Sequence, residues 1–195
     1  MQNFLLPSDI DEVIQRISEP AREFSGKTVL LTGGRGFLGR YFTEVFDRLN
    51  REVLDRPVTL VVLDNLITAG VKGSQIPDFD HIEFIQHDVI QPYDYEGKLD
   101  YVIHAAGIAS PFYYRAYPLE TLEVAISGTR NMLNLAEKSD ARFTFFSSSE
   151  IYGDPNAKHV PMQESYRGNV SCQGPRACYD ESKRVGETLC YIFHG

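Results

Sequence analysis

Residues 27–42 read KTVLLTGGRGFLGRYF, and their order decides the fold. Lys27 to Thr32 is a short apolar run of the kind buried in a parallel sheet. Gly33, Gly36 and Gly39 follow in G-x-x-G-x-x-G spacing. Phe37, Leu38, Tyr41, Phe42, Val45, Phe46 and Leu49 then recur at the spacing of a helix face. A strand, a glycine turn and a helix in this order let the backbone come close to a pyrophosphate, which rests on the helix N-terminus. Glycine spacing alone is a weak signal; its flanking elements give it weight.

Working outward, VTLVVLD (58–64), IEFIQ (82–86), LDYVIHA (99–105) and RFTFFSS (142–148) read as further strands, with a helix over 119–138. Strands alternating with helices predict an α/β fold, a Rossmann-type doubly wound parallel sheet, over residues 26–195. Residues 1–25 form a leader. Within it, SDIDEVIQRIS (8–18) places Ile10, Val13, Ile14 and Ile17 at helical spacing behind Ser8 as an N-cap. This amphipathic helix is expected to pack on the core.

The bulk composition narrows the function. At 195 residues and 43% hydrophobic, the chain can bury one good core. A net charge of −8 with no basic stripe argues against a nucleic-acid partner. No apolar run approaches the ~20 residues that span a bilayer, and the N-terminus lacks a signal-peptide pattern. Cys172, Cys178 and Cys190 contain no CxxC pair and suggest neither a disulfide framework nor a metal site. A cytoplasmic protein with reduced thiols is expected.

Asp64 ends the strand after the glycine turn. A carboxylate there accepts hydrogen bonds from ribose hydroxyls and repels a 2′-phosphate, so NAD is expected rather than NADP. Arg35 and Arg40 are the nearby cations that could instead accommodate that phosphate. Further on, YDESK (179–183) sets Tyr179 and Lys183 at i and i+4, on one helical face. A cation so placed favours the phenolate, which makes Tyr179 a candidate proton acceptor for a substrate hydroxyl.

TGGRGFLG, LDN (63–65), HDVI (87–90), HAAGIASP (104–111), SSSEIYGDP (147–155) and GPRACYDESKR (174–184) together resemble the extended short-chain dehydrogenase/reductases that act on nucleotide sugars. The last two motifs are most similar to those of the UDP-glucuronate decarboxylases. Carried over by position, the resemblance implies NAD held by Gly33, Gly36, Phe37, Leu38, Gly39, Asp64 and Asn65. Asp88 and Val89 would meet the adenine, and Ala105, Ala106 and Gly107 would wall the cofactor. It implies Ser148, Glu150, Tyr179 and Lys183 as the catalytic set, with Lys183 also on the nicotinamide ribose. Ser110, Tyr114, Ser149 and Arg176 would face a nucleotide-sugar substrate, UDP-glucuronate by the nearest likeness, with a plain structural ion pair as the alternative role for Arg176. A homodimer is implied as well.

In such a mechanism the sugar 4-hydroxyl is oxidised, and the resulting ketone lets a C5 carboxylate leave as carbon dioxide. The dehydratase relatives commonly carry an Asp-Glu pair after the catalytic Ser/Thr; here the pair is Ser149-Glu150, which favours decarboxylation. A 4,6-dehydratase, a 4-epimerase and an NAD-binding module inactive on its own are the alternatives. The chain departs from the family at Ala125, where an asparagine is usual. Family members also continue well past Gly195, so the resemblance implies that a C-terminal substrate lobe is missing from this chain.

Overall fold

The computed structural model describes residues 5–69 and 78–194. Five strands, β1 (Thr28–Thr32), β2 (Thr59–Asp64), β3 (Ile82–Gln86), β4 (Tyr101–His104) and β5 (Arg142–Phe145), form one parallel sheet in the order β3-β2-β1-β4-β5. The central register sets Leu30 opposite Val61 on one side and Val102 on the other. β1 and β2 are buried almost throughout, as their continuous apolar runs require.

Side-chain alternation divides the core in two. Val29, Leu31, Leu60 and Val62 point to one face, where α2 (Phe37–Glu52) covers them with Val45, Phe46 and Leu49. Leu30, Val61, Leu63 and Val102 point to the other. There the chain runs through α3 (Pro111–Ala116), α4 (Pro118–Glu123), a π-helical turn (Val124–Gly128) and α5 (Thr129–Ser139). Val124, Met132, Leu135 and Ala136 pack on that face. Burying a side chain of this size contributes about 1.5–3 kcal/mol, so both layers matter to the fold. The helix expected over 119–138 is present from Pro118 to Ser139 with a π-helical turn inside it, and Ala125 sits in that turn.

The leader helix α1 runs over Pro7–Ala21, longer than its apolar period suggested. Ser8 is not its N-cap: Leu6 holds that position, and Pro7 starts the first turn with φ already set for a helix. Ile10 and Ile14 are buried in the same cluster as β1, β2 and α2. Ile10→Ala is expected to lower the unfolding free energy by about 2–4 kcal/mol, read from urea denaturation. A loss near zero would show that α1 does not belong to the core.

β5 stops at Phe145, short of the expected Ser148, because the chain turns into a 3-10 segment (Ser149–Tyr152) whose cap is Ser148. The last helix, α6 (Ala177–His194), carries Tyr179 and Lys183. Among the described residues no helix is long and apolar enough to cross a membrane. No group of three or more His, Cys, Asp or Glu residues is placed there to hold a metal ion.

Candidate active site

The strand order reverses between β1 and β4, and the crevice outside the strand ends at such a point is where doubly wound sheets take their ligands. A cleft of about 310 Å³ opens there. Gly33, Gly36, Phe37, Leu38 and Gly39 line it from the glycine turn, Asp64, Asn65, Asp88 and Val89 from the ends of β2 and β3, and Ala105, Ala106 and Gly107 from the end of β4. The structure thus brings together in one cleft every residue that the sequence suggested for the cofactor, apart from Tyr179 and Lys183.

Backbone geometry fixes the turn. Gly33 has φ +73°, and a Cβ there would lie 2.8 Å from the Ala106 Cα. Thr32 Oγ1 accepts the Ala106 N–H (3.0 Å) and lies 2.7 Å from His104 Nδ1, tying the end of β1 to that of β4. His104 is fully buried; burial, with the nearby Lys183 charge second, pushes its pKa down to about 3, so the imidazole is neutral at physiological pH. Gly34 is a packing requirement that the motif reading missed: a Cβ on it would meet Val62 Cγ1 at 2.0 Å.

Asp64 presents its carboxylate at the cleft with Oδ2 accepting the Arg35 N–H (2.8 Å) and Oδ1 the Leu66 N–H (2.7 Å). Asn65 donates to Asp88 (3.0 Å), which joins the second and third strand ends. Arg35 is 5% exposed and stacks over the Phe84 ring at 5.2 Å. Its burial pushes the guanidinium pKa down, with Arg40 adding to the effect. Arg40 donates from Nε to the Gly36 carbonyl at 3.4 Å. Ile67, Thr68, His87, Ile108, Ala109 and Val124 also line the cleft. Ile67, Thr68 and Val124 went unread because they are ordinary loop and helix residues with no spacing signal, whereas His87, Ile108 and Ala109 lie inside the quoted motifs with no role given.

The cleft fits a dinucleotide. Gly36 leaves its side open, since a Cβ there would have only the Gly33 carbonyl near it, at 3.2 Å. Asp64 would meet the ribose of such a ligand. The N-terminus of α2 points its free amides at the middle, where a pyrophosphate would lie.

Lys183 stands at the other end. Its Nζ donates to the Phe146 carbonyl at 2.7 Å, lies 5.9 Å from the Tyr179 ring centroid and is close against Gly107. Burial pushes its ammonium pKa from 10.5 to about 8. The unfolded chain therefore binds more protons than the folded one between those values, and stability rises with pH across that window. Wild type should gain up to about 3 kcal/mol relative to Lys183→Met between pH 8 and 10.5. Parallel denaturation curves for the two proteins would contradict this burial.

The remaining expected residues separate. Tyr114 is buried, 4% exposed, and stacks on Tyr179 at 5.5 Å between ring centroids. Ser148 accepts the Glu150 N–H at 3.3 Å. Glu150 is ion-paired with Arg176, and Arg176 also reaches Asp180 at 3.5 Å. Ser110 and Ser149 are exposed. A second cleft of about 390 Å³, lined in part by Glu150, Asn169, Arg176 and Asp180, lies on this side.

The sequence model of the NAD dependent epimerase/dehydratase family matches residues 29–195. The chain is 40% identical over 168 residues to UDP-glucuronic acid decarboxylase 1 of Danio rerio, covering 86% of this chain and 38% of the relative. It is 42% identical over 171 residues to UDP-glucuronic acid decarboxylase 2 of Arabidopsis thaliana, covering 87% and 36%. Among solved structures, an epimerase from Methanothermobacter thermautotrophicus superposes with a TM-score of 0.74 at 26% identity, over 93% of this chain and 51% of that one. The chain thus spans well under half the length of the curated relatives it matches.

Proposed function

The chain belongs to the NAD dependent epimerase/dehydratase family, and from that membership we propose that it acts as a UDP-glucuronate decarboxylase, carrying both the cofactor cleft and the catalytic residues. One observation carries the reading: Lys183 is buried between the Tyr179 ring and Gly107, at the end of a cleft shaped for a dinucleotide. The names of the relatives support the substrate, and the Asp64 carboxylate with its two backbone donors supports NAD.

Gly33, Gly36, Gly39, Asp64, Asn65, Asp88 and the 105–107 wall would hold NAD, which when bound supplies an acceptor for the hydride at C4 of the sugar. Tyr179, favoured as the phenolate by the nearby Lys183 charge, takes the proton of the 4-hydroxyl on its phenolic oxygen. Ser148 holds the reacting hydroxyl. The sugar is then a β-keto acid, and its C5–carboxylate electrons flow into the ketone as carbon dioxide leaves. A proton from water completes C5, and Tyr179 returns its proton to O4 as the hydride taken from C4 comes back, which restores the 4-hydroxyl. Tyr114, stacked on Tyr179, keeps that ring from rotating away.

The pairing of Glu150 with Arg176 favours decarboxylation over dehydration, because an ion-paired carboxylate is poorly suited to protonate a departing hydroxyl. A homodimer is part of the same proposal: Leu119 on α4 and Tyr191 and Ile192 on α6 are exposed apolar side chains that a second copy would cover. Sedimentation velocity tests it, with a monomer at tens of micromolar counting against it.

Incubation of the chain with NAD and UDP-glucuronate, followed by mass spectrometry, tests the activity. UDP-xylose or its 4-keto precursor is the expected product. A product lacking water but retaining the carboxylate would overturn the decarboxylase reading.

A further inference from the structure

The segment that follows β5 is fastened to α6 along its length. Lys183 Nζ donates to the Phe146 carbonyl, Ser147 Oγ to the Glu187 carboxylate, and Arg184 Nη1 to the Ile151 carbonyl at 2.9 Å. These contacts join the turn bearing Ser148 to the helix bearing Tyr179. The remaining link lies at the open end of the site: Arg176, just before α6, pairs with Glu150. Behind it stands Asp180, whose side chain is only 13% exposed and which lies in the first turn of α6.

We infer that Arg176 is a positioning residue for the Ser148–Glu150 turn rather than a substrate contact. The pair is half exposed, with the Arg176 side chain 50% and the Glu150 side chain 36% open to solvent. A half-exposed ion pair contributes little to folding, so global stability is not what it serves. What it does fix is direction. Glu150 gives its backbone N–H to Ser148 Oγ, and the Ile151 and Gly153 amides return to the Ser148 and Glu150 carbonyls. Holding the Glu150 side chain therefore holds the hydroxyl of Ser148 through the backbone between them. Asp180 keeps the guanidinium from swinging into solvent, so the brace runs from α6 through Arg176 and Glu150 to Ser148.

The kinetic side of this inference rests on the decarboxylase reading; its structural side does not. The test is hydrogen exchange of the NAD-bound protein in wild type, Arg176→Met, Glu150→Gln and the double variant, with UDP-glucuronate turnover measured on the same proteins. Exchange at the Glu150, Ile151 and Gly153 amides should rise about three- to fivefold in each single variant and no further in the double, a local opening that leaves β1 and β4 protected. Turnover should fall through kcat by about tenfold, with KM nearly unchanged and losses that do not multiply in the double variant, as coupled residues require. Arg176→Lys should recover part of both. Unchanged exchange in Arg176→Met, or multiplying losses, overturns the inference. Wild type that binds NAD yet leaves UDP-glucuronate untouched counts against the decarboxylase reading alone, because the exchange result is read without substrate.

Discussion

Tyr179→Phe should lower the proposed decarboxylation by a factor of at least about 10³ while changing NAD affinity less than about threefold. The substitution removes one oxygen and leaves the ring, so the stack on Tyr114 at 5.5 Å survives and α6 keeps its place. Nothing in the nucleotide cleft depends on that oxygen, since the cleft is lined by the glycine turn and the ends of β2, β3 and β4. What is lost in the proposed mechanism is the acceptor for the sugar proton, and general-base catalysis contributes about 10²–10⁴-fold. Lys183 cannot take over, because its Nζ is held by the Phe146 carbonyl 5.9 Å from the Tyr179 ring centroid. Calorimetry with NAD and a product assay on the same preparation separate the effects. Comparable turnover in the variant would remove Tyr179 from the mechanism, whereas a matching loss of NAD affinity would reassign it to binding.

How much of this could be read before the structure depends on whether a residue acts through its neighbours in sequence. The turn at 33–39 was legible because strand, glycines and helix are contiguous, and each obeys a local rule. Tyr179 and Lys183 were legible for the same reason, being one helical turn apart. The parallel sheet followed from the alternation of strands and helices. Burial on both faces of β1 followed from its unbroken apolar run.

Contacts across the sheet were not legible. Nothing adjacent to Thr32 announces that its hydroxyl meets His104 and Ala106, residues that the fold alone brings beside it. Arg176 had two readings in the sequence, a substrate contact and a structural ion pair; which partners it pairs with, Glu150 and Asp180, requires knowing how α6 lies against the turn. Ser8 was misplaced as a cap because Pro7, one residue earlier, already satisfies the first turn. Gly34 escaped because its constraint comes from Val62 on the next strand rather than from the glycine spacing.

That last distinction gives the second large effect. Gly39→Ala should weaken NAD binding by at least about 100-fold and lower thermal stability at the same time. A Cβ on Gly39 would fall 2.2 Å from the Gly33 carbonyl oxygen and 2.4 Å from the Gly34 Cα, both backbone atoms, so no side-chain rotation relieves the clash. The turn must open, and the α2 amides that would meet a pyrophosphate move with it. Gly36→Ala makes the comparison informative. Its Cβ would meet protein only at the Gly33 carbonyl, 3.2 Å away, and φ at Gly36 is −69°, a value any residue adopts. The fold should therefore tolerate Gly36→Ala with a change in Tm of no more than a few degrees. NAD affinity should still fall, because the methyl group occupies space along the cleft. If Gly36 is there for the ligand and Gly39 for the chain, calorimetric titration will show both variants impaired while thermal unfolding separates them. Equal NAD affinity in wild type and Gly36→Ala would mean that the dinucleotide lies elsewhere in the cleft.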